Sequence, residues 1–173
     1  IKIWNMTTGE VKRTLTGHTS WITSLVINKD NELVSGSADS TIKIWNMTTG
    51  EVKRTLTGKF YGIRTLVINK DNELISGCND NTIRIWNMTT GELKRTLRGH
   101  SNFVTSLVIN KDNELISASW DKTIITWNME TGQVKNSFLG HTSYVNSIAI
   151  NKDNDLVSAA YDNTIKIWNM ETG

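Results

Sequence analysis

Residues 42–50 read Ile-Lys-Ile-Trp-Asn-Met-Thr-Thr-Gly, and the same nine residues stand at positions 1–9. Close variants follow at 83–91, 124–132 and 165–173, so that Trp4, Trp45, Trp86, Trp127 and Trp168 are each 41 residues apart, with no insertion or deletion. A fixed period of that size marks a repeat architecture, in which each unit is one supersecondary structure stacked on the next. Working outward, residues 1–9 are the end of a unit, and 10–50, 51–91, 92–132 and 133–173 are four whole units. The first two agree at 30 of 41 positions, which requires one shared local structure.

That structure reads as β. In the first whole unit, runs rich in Val, Ile, Thr and Leu span Glu10–Leu15, Trp21–Asn28, Glu32–Ser37 and Thr41–Trp45. None is long enough or 3.6-periodic enough for a helix. The spacers Asn28-Lys29-Asp30-Asn31, Ala38-Asp39-Ser40 and Asn46–Gly50 rest on Asn, Asp and Gly, which tolerate the left-handed conformations that tight hairpins need. Proline is absent, so no turn relies on it. Four short antiparallel strands per unit make one propeller blade.

Gly17-His18, Ser35, Asp39 and Ile42-Lys43-Ile44-Trp45 recur in register and resemble the WD-repeat β-propeller family along the entire chain. The expected fold is therefore all-β, a propeller segment of about four four-stranded blades. By the family's phasing, each blade takes its outer strand from the unit that follows, so an arc is expected, completed by further blades or by a second copy. Two departures stand out. Every repeating Trp is followed by Asn where the family usually has Asp, and the second unit reads Gly58-Lys59 where the others have Gly-His.

The sets His18, Ser35, Asp39; His100, Ser117, Asp121; and His141, Ser158, Asp162 imitate a nucleophile, base and orienter. Three identical triads in one chain argue for a structural role. The resemblance implies that each set, with Trp45, Trp127 or Trp168, forms a buried hydrogen-bond network within its blade. In the second blade Ser76, Asp80 and Trp86 remain, and Lys59 in place of His leaves Asp80 without its expected partner. That blade is expected to be the weak one. No catalytic residue is assigned.

Other chemistries are poorly supported. The His residues fall one to a unit with no second ligand at metal spacing, no glycine-rich phosphate loop is present, and no cofactor is expected. With 19 basic against 17 acidic residues, the net charge of +2 is too small for a dedicated nucleic-acid binder. No apolar run approaches the roughly 20 residues of a membrane helix, and no charged-then-apolar leader opens the sequence. Cys78, the single cysteine, stands where other units have Ser37 and Ser119 and reads as a small core residue. Asn-Met-Thr at Asn5, Asn46 and Asn87 would be glycosylation acceptors in a secreted protein, but the later units read Asn-Met-Glu, and a cytoplasmic location is expected.

The units differ from one another in two places. One is the stretch after the glycine, at 18–21, 59–62, 100–103 and 141–144; the other is the residue before the network Asp, which is Ala38, Asn79, Trp120 or Tyr161. In an up-and-down blade both sites lie at the same end, and that end gathers Trp21, Phe60, Tyr61, Phe103, Trp120, Tyr144 and Tyr161. Large aromatic residues with few rotors suit a docking surface. Two roles are open to Trp21, Phe103 and Tyr144, packing at the blade tops or partner contact, whereas Trp120 and Tyr161 are expected at exposed hairpin tips. Arg64, with Lys59, adds positive charge that would favour an acidic or phosphorylated ligand, the other reading being simple decay of the repeat. The resemblance implies a non-enzymatic scaffold that binds a protein or peptide through this face. The alternatives are a ligand-sensing module of a larger signalling or defence protein, and a structural array that self-associates.

Overall fold

The computed structural model describes residues 1–58 and 61–170, and all its regular elements are strands. The first blade is β3 (Ile22–Ile27), β4 (Leu33–Ser37), β5 (Thr41–Trp45) and β6 (Val52–Thr57). The second is β7 (Ile63–Ile68), β8 (Glu73–Cys78), β9 (Ile83–Asn87) and β10 (Leu93–Leu97), and the third is β11 (Val104–Ile109), β12 (Leu115–Ser119), β13 (Ile124–Trp127) and β14 (Val134–Phe138). Each is an antiparallel sheet in chain order, and each takes its outer strand from the next unit, as expected. A two-stranded sheet, β1 (Lys2–Trp4) with β2 (Val11–Thr14), precedes them, and a three-stranded sheet, β15 (Val145–Ile150), β16 (Leu156–Ala160) and β17 (Ile165–Trp168), follows.

The turns form where the asparagines predict them. Asn28 Oδ1 accepts from the backbone N–H of Asp30 at 3.0 Å and Glu32 at 2.8 Å, while Asn31 takes a left-handed φ of 57°. Asn46 Oδ1 accepts from Thr48 and Thr49 in the same way, which gives Asn after each Trp a local task.

Each inner strand carries a bulge at its start. Ile22 pairs with Ser37 and Ser24 with Gly36, leaving Thr23 as the extra residue, and the same shift recurs at Arg64, Thr105 and Asn146. A bulge re-aims its side chain. Thr23 Oγ1 uses that freedom to donate to Ile63 O of the next blade at 2.7 Å, and Thr105 Oγ1 donates to Val145 O at 2.7 Å.

The core lies between blades. Val34, Ile42, Ile44 and Leu56 of the first blade meet Ile63, Leu66, Leu74 and Trp86 of the second, and this pattern repeats across the next two interfaces. One contact differs from interface to interface. A Cβ added at Gly36 would lie 2.4 Å from Ile63 Cγ2, and one at Gly77 would lie 2.7 Å from Val104 Cγ1, whereas the third interface matches Ala118 with Val145.

The arc is open among the described residues, since β2 and β17 belong to separate sheets. Leu25 on the leading blade is 49% exposed where its equivalents Leu66 and Leu107 are 5% and 6% exposed. On the trailing blade Ile165 is 73% exposed where Ile42, Ile83 and Ile124 are buried. Both edge faces thus expose apolar side chains that are covered at the interfaces between blades.

Candidate functional site

Three blades assemble the expected network. In the third, Trp127 Nε1 donates to Ser117 Oγ at 2.7 Å, Ser117 Oγ meets His100 Nε2 at 2.7 Å, and His100 Nδ1 meets Asp121 Oδ2 at 2.7 Å. The Asp121 carboxylate also accepts from Thr123 Oγ1 and from the backbone N–H of Ser101. The equivalent bonds tie Trp45, Ser35, His18 and Asp39 in the first blade and Trp168, Ser158, His141 and Asp162 in the fourth. A neutral imidazole satisfies the chain, with the indole donating to Ser, Ser to Nε2, and Nδ1–H to Asp. Ser35 and Ser117 are fully buried and Ser158 is 1% exposed, so none presents its hydroxyl to a substrate.

Burial alone would raise Asp121, but the bonds from His100 and Thr123 outweigh it and hold the carboxyl at about 2, below its usual 3.8. Asp39 likewise falls to about 2, burial being outweighed by Thr41, Thr19 and His18. A carboxyl with a depressed folded value stabilises the fold above its ordinary value, and that stability is lost as pH falls toward the depressed one. Urea midpoints are therefore expected to hold down to about pH 4 and to drop steeply between about pH 4 and pH 2. A flat profile to pH 2 would show that these partners stabilise nothing.

The second blade corrects an expectation. Asp80 has a partner: Arg84 donates through Nη2 to Asp80 Oδ2 at 2.7 Å and through Nη1 to Asp80 Oδ1 at 3.1 Å. Arg84 Nη1 also donates to Thr82 Oγ1 at 2.6 Å, and Trp86 Nε1 keeps its bond to Ser76 Oγ at 2.9 Å. Arg84 stands where the first and fourth units have Lys43 and Lys166, on the strand face shared with Thr82 and Trp86. Its guanidinium thus supplies the carboxylate partner that the imidazole supplies in the other blades. Burial opposes the charge on Asp80, yet the Arg84 bonds keep its pKa lowered. Beside it, burial pushes the Cys78 thiol up to about 11, in keeping with a core residue. Lys59 and Phe60 lie outside the described residues.

The two variable sites do share one face. Backbone bonds join them directly, Ala38 N to Trp21 O, Asn79 N to Tyr61 O, Trp120 N to Phe103 O and Tyr161 N to Tyr144 O, at 2.9 to 3.0 Å. Part of the aromatic set is one continuous assembly. The Arg64 guanidinium lies 4.7 Å from the Phe103 ring centre and 4.4 Å from that of Trp120. Trp120 stacks on Tyr144 at 5.1 Å and 16°, and Tyr144 meets Tyr161 edge-on at 6.4 Å. Trp21 and Tyr61 stand apart from this run, 83% and 77% exposed.

Trp120 is therefore not the free hairpin tip the sequence suggests. It is half-buried under Arg64, Phe103 and Tyr144, and its Nε1 is buried without an acceptor. Tyr161, 58% exposed, is the accessible end of the run. Sequence reading names Asn79 as a variable position but misses its contact, in which its Oδ1 accepts from Arg64 Nε at 2.6 Å. Its signal was there: the second unit alone has Arg at the bulge and Asn before the network Asp. Among the described residues no group of acidic, His and Cys side chains could hold a metal ion, and no helix is long and apolar enough to cross a membrane.

The profile described as WD domain, G-beta repeat matches residues 9–46, 50–87, 91–128 and 132–169. Among solved structures, the WD40 beta propeller domain of Doa1 superposes with a TM-score of 0.89 at 26% identity, over 99% of this chain. The chain spans 57% of that domain. The computationally designed Ika4 protein superposes with a TM-score of 0.79 at 40% identity, over 90% of this chain and 94% of Ika4. No curated protein matches the chain. Four matched repeats over residues 9–169, three of them folding Trp, Ser, His and Asp into the same buried network, make this chain a member of the WD40 family of β-propellers.

Proposed function

We propose that the chain is a non-enzymatic scaffold whose loop face binds a peptide or an extended protein segment. WD40 domains are in general protein-interaction scaffolds, and the observation that carries the finer reading is the run Arg64, Phe103, Trp120, Tyr144 and Tyr161 across three blades. The fold does not ask for it. Two units manage with Ala38 and Asn79 at the hairpin position. Selection for a partner accounts for an arrangement the fold does not require. A cytoplasmic location is proposed on the sequence alone, since the same turn reads Asn-Met-Glu in the last two units and the Asn-Met-Thr sequences are then accidents of a turn.

Because Trp21 and Tyr161 are exposed and leave the core untouched, they make the cleanest test. Peptides selected on the wild-type protein from a random display library are expected to bind the Trp21→Ala, Tyr161→Ala variant at least about 2 kcal/mol more weakly, with an unchanged melting temperature. Equal affinity would place binding elsewhere. A second reading, that edges pair with further blades or another copy, is favoured by the exposure of Leu25, Ile165 and Ile167. Both readings are compatible, since edges and loop face are different surfaces.

A further inference from the structure

The four bulge residues Thr23, Arg64, Thr105 and Asn146 point together into a cavity of about 360 Å³ on the loop side, which Trp21 and Asn79 also line. Arg64 is the one charged residue in that lining among the described residues. Next to its lining residue Ile63 an aromatic is missing. Trp21, Phe103 and Tyr144 occupy one repeat position, and the second unit has Gly62 there instead. Gly62 has a left-handed φ of 44°, and a Cβ on it would lie 2.5 Å from Asn79 Nδ2, inside the cavity wall.

Arg64 is held and yet unfinished. Its Nε donates to Asn79 Oδ1, and its Cζ lies 4.7 Å from the Phe103 ring centre and 4.4 Å from that of Trp120, which hold the guanidinium in place. Among the described residues no acceptor meets either Nη. A guanidinium so positioned has its two-pronged edge ready for a planar oxyanion, which it binds through two parallel hydrogen bonds. The arrangement also has a structural cost, because Thr23 and Thr105 at the same position each bond the next blade's backbone and Arg64 does not.

The geometry points to a binding site for the side-chain carboxylate of an Asp or Glu within a peptide, seated in this cavity on the free edge of Arg64. The inference rests on the loop-face reading and names the chemistry of its anchor. Among the described residues Arg64 is the one cation lining the cavity, and one guanidinium balances one carboxylate, whereas a phosphate near charge −2 would be half compensated by it. The acid is internal to the peptide, because aromatic surface continues on both sides of the cavity, toward Trp21 in one direction and toward Tyr144 and Tyr161 in the other.

The test uses a random-peptide display library selected in parallel on the wild type and on Arg64→Thr, the residue of the first and third units at this position. That change is tolerated by the repeat and restores a side chain able to bond the next blade. Wild-type binders are expected to converge on one acidic position, and changing that residue to its amide should weaken binding roughly ten- to a hundredfold. On Arg64→Thr the acidic peptide should lose the same factor, and the acid and amide forms should become indistinguishable. Enriched peptides with no acid, or an acid preference that survives in Arg64→Thr, would overturn the anchor and leave the loop face standing. Tighter binding of a phosphoserine in place of the acid would overturn the carboxylate assignment. No enrichment on the wild type would remove the loop-face reading and this inference together.

Discussion

Arg84→Ala is expected to destabilise the chain by roughly 3–5 kcal/mol, the cost of stripping one partner from a buried ion pair. Arg84 is 6% exposed and supplies two of the bonds that hold the Asp80 carboxylate, so its removal leaves that charge with Thr82 alone. Arg84→Lys should recover only part of the loss, because an ammonium cannot span both carboxylate oxygens. Combining Arg84→Lys with Lys59→His returns both positions to the residues of the first unit, His18 and Lys43, and should recover most of it. Urea unfolding of the three variants measures the cycle. A loss below about 1 kcal/mol for Arg84→Ala would mean that the pair is no better than a surface salt bridge.

Trp127→Ala should cost a similar amount, roughly 3–5 kcal/mol, by a different route. The ring is 1% exposed, lies against the backbone at Gly99 and stands edge-on to His100 at 6.0 Å. Its loss opens a cavity and also removes the wall that keeps His100 on Ser117 and Asp121. Trp127→Phe separates these contributions. It keeps most of the packing and removes only the Nε1 bond to Ser117, for about 0.5–1.5 kcal/mol beyond the volume lost. If Phe costs as much as Ala, the indole N–H and not the packing is what the blade needs.

The repeat period made the blades legible, and the strand limits agree to within about a residue because turn asparagines mark them. The His, Ser, Asp and Trp network was legible in three blades because its members keep one spacing. Arg84 was not. A Lys-to-Arg change in a strand looks neutral until the strand's alternation puts residues 82, 84 and 86 on one face with Asp80 at its end. Trp120 failed for a related reason. Its position says only that it follows a hairpin strand, whereas its cover comes from Arg64, which a bulge in another blade aims at it. Contacts made across blades leave no trace in the order of one unit.

The unequal match at the inner strands reaches beyond stability. Gly36 receives Ile63, whereas Gly77 and Ala118 both receive a valine, Val104 and Val145, so the first interface alone sets the larger isoleucine against a residue with no side chain. Tandem copies this alike invite recombination errors, in which a unit is lost, doubled or moved. Placing the third unit ahead of the second would set an alanine against Ile63, at a spot where a Cβ comes within 2.4 Å of a methyl carbon. That one exchange of copies is therefore hindered, and the hindrance is a single methyl group deep.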